Sequence, residues 1–216
     1  MRTSFRSGPV LWAAILLCAG CSRGPAFPGS PVVMISIDTL RADHLSCYGY
    51  RKLATPNIDA LARDGIRYEN AYSQVPLTLP SHATLLTGLL PYQHGVRDNI
   101  GFRLPASTPT LTRRLKDAGY ATGAAVSCYL LRRDCGLAAG FDFYDDQLGP
   151  SDPDERAGEE SARRLESWMD SVSGRPVFTL LHLYEPHAPY TPPPPFAATY
   201  ASNPYDGEIA AADAVV

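Results

Sequence analysis

The sequence predicts an α/β fold with a mainly parallel central sheet and helices on both faces. Three observations point to it. The apolar runs VVMISI (32–37) and VFTLLHL (177–183) have the length of strands buried on both sides. Helical periodicity fills much of the sequence between them, opened by Thr-Pro pairs and stopped by glycines. Strand and helix signals alternate along the chain, as they do in parallel sheets.

The elements follow in order. The strand at 32–37 ends directly in Asp38, and Thr39 is placed to cap the next turn. Thr55-Pro56 opens a helix with Ile58, Leu61 and Ala62 on its apolar face and Gly65 at its end. Tyr68 to Tyr72 reads as a short extended piece. A second helix runs from about Pro80 to Thr87 and stops at Gly88. A third opens at Thr108-Pro109, carries Leu111 and Leu115, and ends near Gly119. Tyr120 to Ser127 is the next strand. Glu159 to Val172 is the clearest amphipathic helix, with Ala162, Leu165, Trp168 and Met169 on one face. The strand at 177–183 follows, then a rigid proline loop at 192–195. Residues 208–216 read as a helix that breaks off inside its apolar pattern. The chain therefore reads as the N-terminal part of a longer, C-terminally truncated domain. In such sheets the site lies at the carboxyl ends of the strands.

Composition narrows the class. The 216 residues allow one domain with a sizeable core. Charged residues make up 19% and the net charge is -3, with no basic run, so nucleic acid is not an expected partner. Arg2 and Arg6 precede a short apolar run, Val10 to Leu17, too short for a permanent membrane span. Residues 1–21 are read as a signal peptide and 22–30 as a tether, with the fold occupying 31–216. Ala19-Gly20-Cys21 also resembles a bacterial lipobox, although Cys18 stands where that pattern prefers Leu. The expectation is export to the periplasm or cell envelope, with a lipid on Cys21 as membrane anchor; an ordinary cleaved leader is the alternative. Export implies an oxidising compartment. Cys128 and Cys135 then pair and leave Cys47 free, or all three are small buried hydrophobes.

Several residues have the chemistry of a site. A carboxylate directly after a buried strand, Asp38, suits a metal ligand, or alternatively a helix cap or loop ion pair. In Leu77-Thr78-Leu79-Pro80-Ser81-His82 a hydroxyl precedes a helix start, where free N–H groups favour an anion. A threonine beside a divalent cation can ionise and attack phosphorus or sulfur; Thr78 or Ser81 could equally cap the helix. Arg97 and Asn99 could donate to non-bridging oxygens or simply shape their loop. His187 follows Glu185-Pro186 at a strand end, His182 sits inside that strand in a buried or supporting role, and His44 decorates a loop.

VVMISIDTLRADHLSCYGY, TPNIDALARDGIRYENAYS and TLPSHATLLTGLLPYQHGV, in that order, resemble the sulfatase family of the alkaline phosphatase superfamily. HLYEPHAPY at 182–190 resembles that family's strand-end segment with a substrate-contacting histidine. The resemblance makes Asp38 the first metal ligand, with Thr39 where sulfatases usually carry a second Asp. Thr78 falls where they place a Cys or Ser that is oxidised to formylglycine. Their C-x-P-S-R motif reads T-L-P-S-H here, so the threonine hydroxyl itself becomes the implied nucleophile and metal ligand. His82 replaces the arginine and would touch the nucleophile or the ester oxygens. His94 would position the nucleophile and anion, and His187 would bind the transferred group or protonate the leaving oxygen. The implied cofactor is one divalent cation (Ca, Mg, Mn or Zn) held by Asp38 and Thr78 with further ligands beyond residue 216. The implied activity is hydrolysis of sulfuric or phosphoric esters. A phosphoryl transferase of the same superfamily and a non-catalytic surface lipoprotein are the alternatives. On its own the chain is expected to bind metal poorly and to be nearly inactive.

Overall fold

A computed structural model describes residues 27–149, 154–172 and 174–216; the segment expected to be a leader, with Cys21, lies outside this set. Residues 31–216 form one unit. Among the described residues four strands build the sheet: β1 (Val32–Ile37), β2 (Ala121–Ala125), β3 (Phe143–Asp145) and β4 (Val177–Leu183). Their order is β1-β4-β2-β3 and every pairing is parallel. The helices are α1 (Pro56–Asp64), α2 (Thr78–Thr87), α3 (Pro91–His94), α4 (Leu111–Asp117), α5 (Gly158–Ser171), α6 (Phe196–Thr199) and α7 (Pro204–Val215). No described helix is long and apolar enough to cross a membrane.

Strand alternation sorts the core into two faces. Met34, Ala124, Tyr144, Phe178 and Leu180 pack with Leu79, Ala83 and Leu86 of α2 and with Leu111 and Leu115 of α4. Ile35, Ile37, Ala125, Leu181 and Leu183 pack with Ala162, Leu165, Trp168 and Met169 of α5 and with Ala212 of α7. Helices thus cover both faces, as the alternating pattern predicts. A smaller cluster joins Leu45, Leu53 and Ile58 to Ile209 and Ala210 of α7.

Several local expectations give way to tertiary contacts. β1 lies at the sheet edge and is not fully buried: Val33 is 56% exposed. No strand forms at 68–72, where the residues are solvent-exposed and lack a pairing partner. β3 was not expected, because three residues show no periodicity. Helix α2 starts at Thr78, two residues early, so its first hydroxyl lies inside the helix, and neither Thr78 nor Ser81 caps it. Helix α4 starts at Leu111, capped by the Thr110 hydroxyl, which accepts from the Arg113 N–H at 3.3 Å. Thr55 does not cap α1 through its side chain. The Asp213 carboxylate does so from α7, accepting from the Ile58 N–H at 2.8 Å. Cys47, Cys128 and Cys135 are all free thiols, so no disulfide forms. His44 does more than decorate a loop. Its Nδ1 lies 2.7 Å from Asp206 Oδ1 and its ring packs on Tyr50, tying its turn to α7.

Candidate active site

Sheet register assembles the site. Ser36 of β1 faces His182 of β4, and the Asp38 N–H prolongs that ladder by donating to the Leu183 carbonyl at 2.9 Å. Period-2 alternation puts Ser36 and Asp38 on the α2 face. There His82 bridges strand and helix: Nε2 meets Ser36 Oγ at 2.9 Å, and Nδ1 donates to the Thr78 carbonyl at 2.7 Å. The first turn of α2 is thereby fixed against the carboxyl end of β1, and the Thr78 hydroxyl donates to Asp38 Oδ2 at 3.0 Å across a separation of 40 residues. The convergence of Asp38 and Thr78, expected from sequence, is present.

Both groups open on a cleft of about 510 Å³ lined also by Ser36, Thr39, Ser73, Ser81, His82, Asn99 and His187. Thr39 does not cap a turn. Its backbone is left-handed (φ 51°), a conformation rare for a β-branched residue, and its hydroxyl donates to the Pro186 carbonyl. That bond fastens the β1 loop to the segment carrying His187.

The predicted residues divide. Asn99 lines the cleft, and its amide oxygen accepts from the Leu79 N–H at 2.9 Å, satisfying a free donor at the start of α2. His187 lines the cleft with its ring stacked on Tyr184 at 4.3 Å. Its Nδ1 donates to the Ala188 carbonyl at 2.8 Å, leaving Nε2 available. His82 touches the Thr78 carbonyl and not its hydroxyl, because both ring nitrogens are already engaged. Burial, helped by the neighbouring His182, lowers its pKa to about 4, so the ring is neutral near pH 7. His94 is buried away from the cleft lining: Nε2 meets Thr84 Oγ1 at 3.0 Å and Nδ1 accepts from the Val96 N–H at 3.1 Å. Burial also lowers its pKa. It ties α2 to α3 and does not line the cleft. Arg97 is exposed and does not line the cleft.

Sequence reasoning missed the surroundings of Asp38. From sequence, Ser36 reads only as a strand residue, and Cys128 as a disulfide half or a small buried residue. His182, Cys128 and Asp38 bring ligand-type atoms within 4.8 Å of one another. Two of the three groups carry a proton in this fold. The Ser127 N–H donates to His182 Nδ1 at 3.4 Å, so the ring presents an N–H at Nε2, 3.6 Å from Asp38 Oδ2. Burial raises the Cys128 thiol to about 12, which keeps it protonated. Burial also acts to raise the Asp38 pKa, but His182 and Thr78 outweigh it and the carboxyl lies below its ordinary value. An ionised carboxylate and a hydroxyl 3.0 Å apart at a cleft remain, a pair of oxygen donors that fits a hard divalent cation.

Comparison with known proteins adds independent findings. A family model described as Sulfatase matches residues 30–215. Human arylsulfatase D is 34% identical over 155 residues, covering 63% of this chain and 26% of that protein. The N-acetylgalactosamine-6-O-sulfatase of Bacteroides thetaiotaomicron is 33% identical over 156 residues, covering 66% of this chain and 29% of that protein. A structure solved with its substrate D-glucosamine-2-N,6-O-disulfate superposes with a TM-score of 0.71 at 22% identity, covering 81% of this chain and 38% of the other. The match thus spans under a third of either curated relative.

Proposed function

The chain belongs to the sulfatase family, and from that premise we propose that it carries the nucleophile half of a metal-dependent hydrolase of sulfate esters. The observation that carries the reading is the 3.0 Å contact between Thr78 Oγ1 and Asp38 Oδ2 at the cleft floor. The relatives' names and the sulfated-sugar complex support a sulfate ester as substrate.

Asp38 and Thr78 would hold the cation, which when bound supplies Lewis-acid stabilisation of the ester oxygens. Asp38 accepts the hydroxyl hydrogen bond and orients Oγ1 towards the cleft. Position at the first turn of α2 places Oγ1 beside a helix N-terminus, which favours an anion. The chain carries no formylglycine precursor here, since Thr78 occupies that position; Oγ1, its proton leaving through the Asp38 hydrogen bond, attacks sulfur as the bond from sulfur to the alcohol oxygen breaks, and water then cleaves the Thr78–sulfate bond to release sulfate. His187 stands across the cleft with Nε2 free, and its protonated form donates to that oxygen. Asn99 holds the first turn of α2 in place. The charged start and Cys21 support export with a lipid anchor.

The test uses 4-nitrophenyl sulfate and 4-nitrophenyl phosphate with the protein containing this chain. Sulfate turnover should exceed phosphate turnover, disappear on chelation and return with added cation. Thr78→Ala should lower kcat by about 1000-fold or more, with Thr78→Ser retaining part of it. Metal-dependent turnover undiminished in Thr78→Ala would overturn the nucleophile assignment.

A further inference from the structure

A second pocket, of about 170 Å³, shares His187 with the cleft and is lined by Glu155, Arg156, Tyr184, Glu185, Thr191 and Glu208. Two of its carboxylates are half-satisfied. Glu185 Oε1 accepts from the Gly158 N–H at 2.9 Å, and Glu208 Oε1 accepts from the Thr191 N–H at 2.6 Å. The second oxygen of each is buried and has no hydrogen-bond partner among the described residues, and burial raises the Glu208 pKa although the Thr191 and His187 backbone N–H groups act to lower it. Glu208 is only 4% exposed. Buried carboxylates are ordinarily paired with a positive group. The cation within reach is committed elsewhere. Arg156 spends its guanidinium on Asp145 at 2.5 Å, Ser161 at 2.9 Å and the carbonyls of Gln147 and Val126.

We propose that this pocket is an ammonium-recognising subsite for the alcohol half of the ester. The assignment rests on the hydrolase reading and names the substrate class that reading leaves open, an amine-bearing sulfate ester. No three carboxylates here come close enough to form a metal cage; the compact ligand cluster among the described residues lies at Asp38. A pocket of this volume, with carboxylate oxygens on β4's loop and on α7, suits a larger cation whose N–H donors fan outward. His187 forms the partition between the pockets. An ester whose sulfate lies at Thr78 and whose leaving oxygen meets His187 would extend its alcohol half past that ring to the glutamates.

The experiment compares aminoalkyl sulfates with alkyl sulfates of equal chain length, as kcat/KM on the protein containing this chain. At the best chain length the amine should be favoured by about tenfold or more. Glu208→Gln keeps the side-chain shape and the acceptor for Thr191, and it should bring the ratio close to one; Glu185→Gln is the second variant should the first fail to fold. Equal turnover of the paired esters, or a preference that survives both substitutions, overturns the subsite. If no ester is turned over, the hydrolase reading fails and the subsite is judged by calorimetry with the aminoalkyl alcohols. Binding that Glu208→Gln abolishes then supports it, and absence of binding overturns it.

Discussion

At the scale of single residues, the site depends on a buried neutral imidazole. His82 joins β1 to α2 through Ser36 and the Thr78 carbonyl, and charging it would place a cation in a dry layer beside His182. Its folded-state pKa of about 4 lies below the ordinary 6.5. Above pH 6.5 both folded and unfolded chains carry a neutral ring, so its full contribution to stability is present. As pH falls from 6.5 towards 4 the unfolded chain takes up the proton first and stability declines, by about 3 kcal/mol in all. Asp38, whose folded pKa is also depressed, adds a loss that begins lower, from its unfolded value of 3.8 downward. Urea denaturation at stepped pH measures this directly. In His82→Gln the decline over the upper window should flatten, and an equally steep decline there would assign the acid sensitivity to another group.

At the scale of elements, close packing explains a glycine that no sequence pattern singles out. A Cβ at Gly123 in β2 would come within 2.2 Å of the Trp168 ring in α5. The indole stacks on Phe143 of β3 at 5.5 Å, so it has little room to retreat. Gly123→Ala should therefore destabilise the fold by about 1–3 kcal/mol through overpacking. Trp168→Leu also destabilises alone, yet the pair should cost less than the sum, a coupling that a double-mutant cycle reads. Strict additivity would mean that the helix moves as a body to accept the methyl. The same elements show which parts of the fold were legible. β4 and α5 were placed to within about a residue because apolar period and length agree there. The start of α2 was misplaced because Pro80 imitates a first helical residue, whereas Thr78 is held in the first turn by remote β1 contacts, directly through Asp38 and through His82, which ties that turn to Ser36. The α1 cap was misassigned for a similar reason: the acceptor, Asp213, lies in a helix 155 residues away. Asp38, Thr78, Asn99 and His187 were visible as an ordered motif set. The role of His82, the distance of His94 and the presence of Ser36 depend on register and helix packing, which local sequence does not encode.

At the scale of the whole molecule, strand order places the chemistry on an outer strand of the four described. β4 pairs on both sides, with β1 and β2, and all seven of its residues are buried. β1 pairs only with β4 among the described strands, and its first residues are exposed. Alternate β1 amides point away from β4, so local fraying can release them while the sheet stays folded. Asp38 hangs from that edge strand, whereas the loop bearing His187 hangs from the central one. The cleft is therefore bounded by one rigid wall and one adjustable wall, joined through the Thr39–Pro186 hydrogen bond and the Ser36–His82 contact. Native-state hydrogen exchange should separate the two walls. Amides of residues 178–183 should exchange only by global unfolding, and the outward amides of β1 faster, through local openings. A divalent cation bound at Asp38 and Thr78 should raise protection along β1 and α2 while leaving β4 unchanged. If β1 and β4 exchange together at every denaturant concentration, the two walls open as one unit and the adjustable-wall account fails.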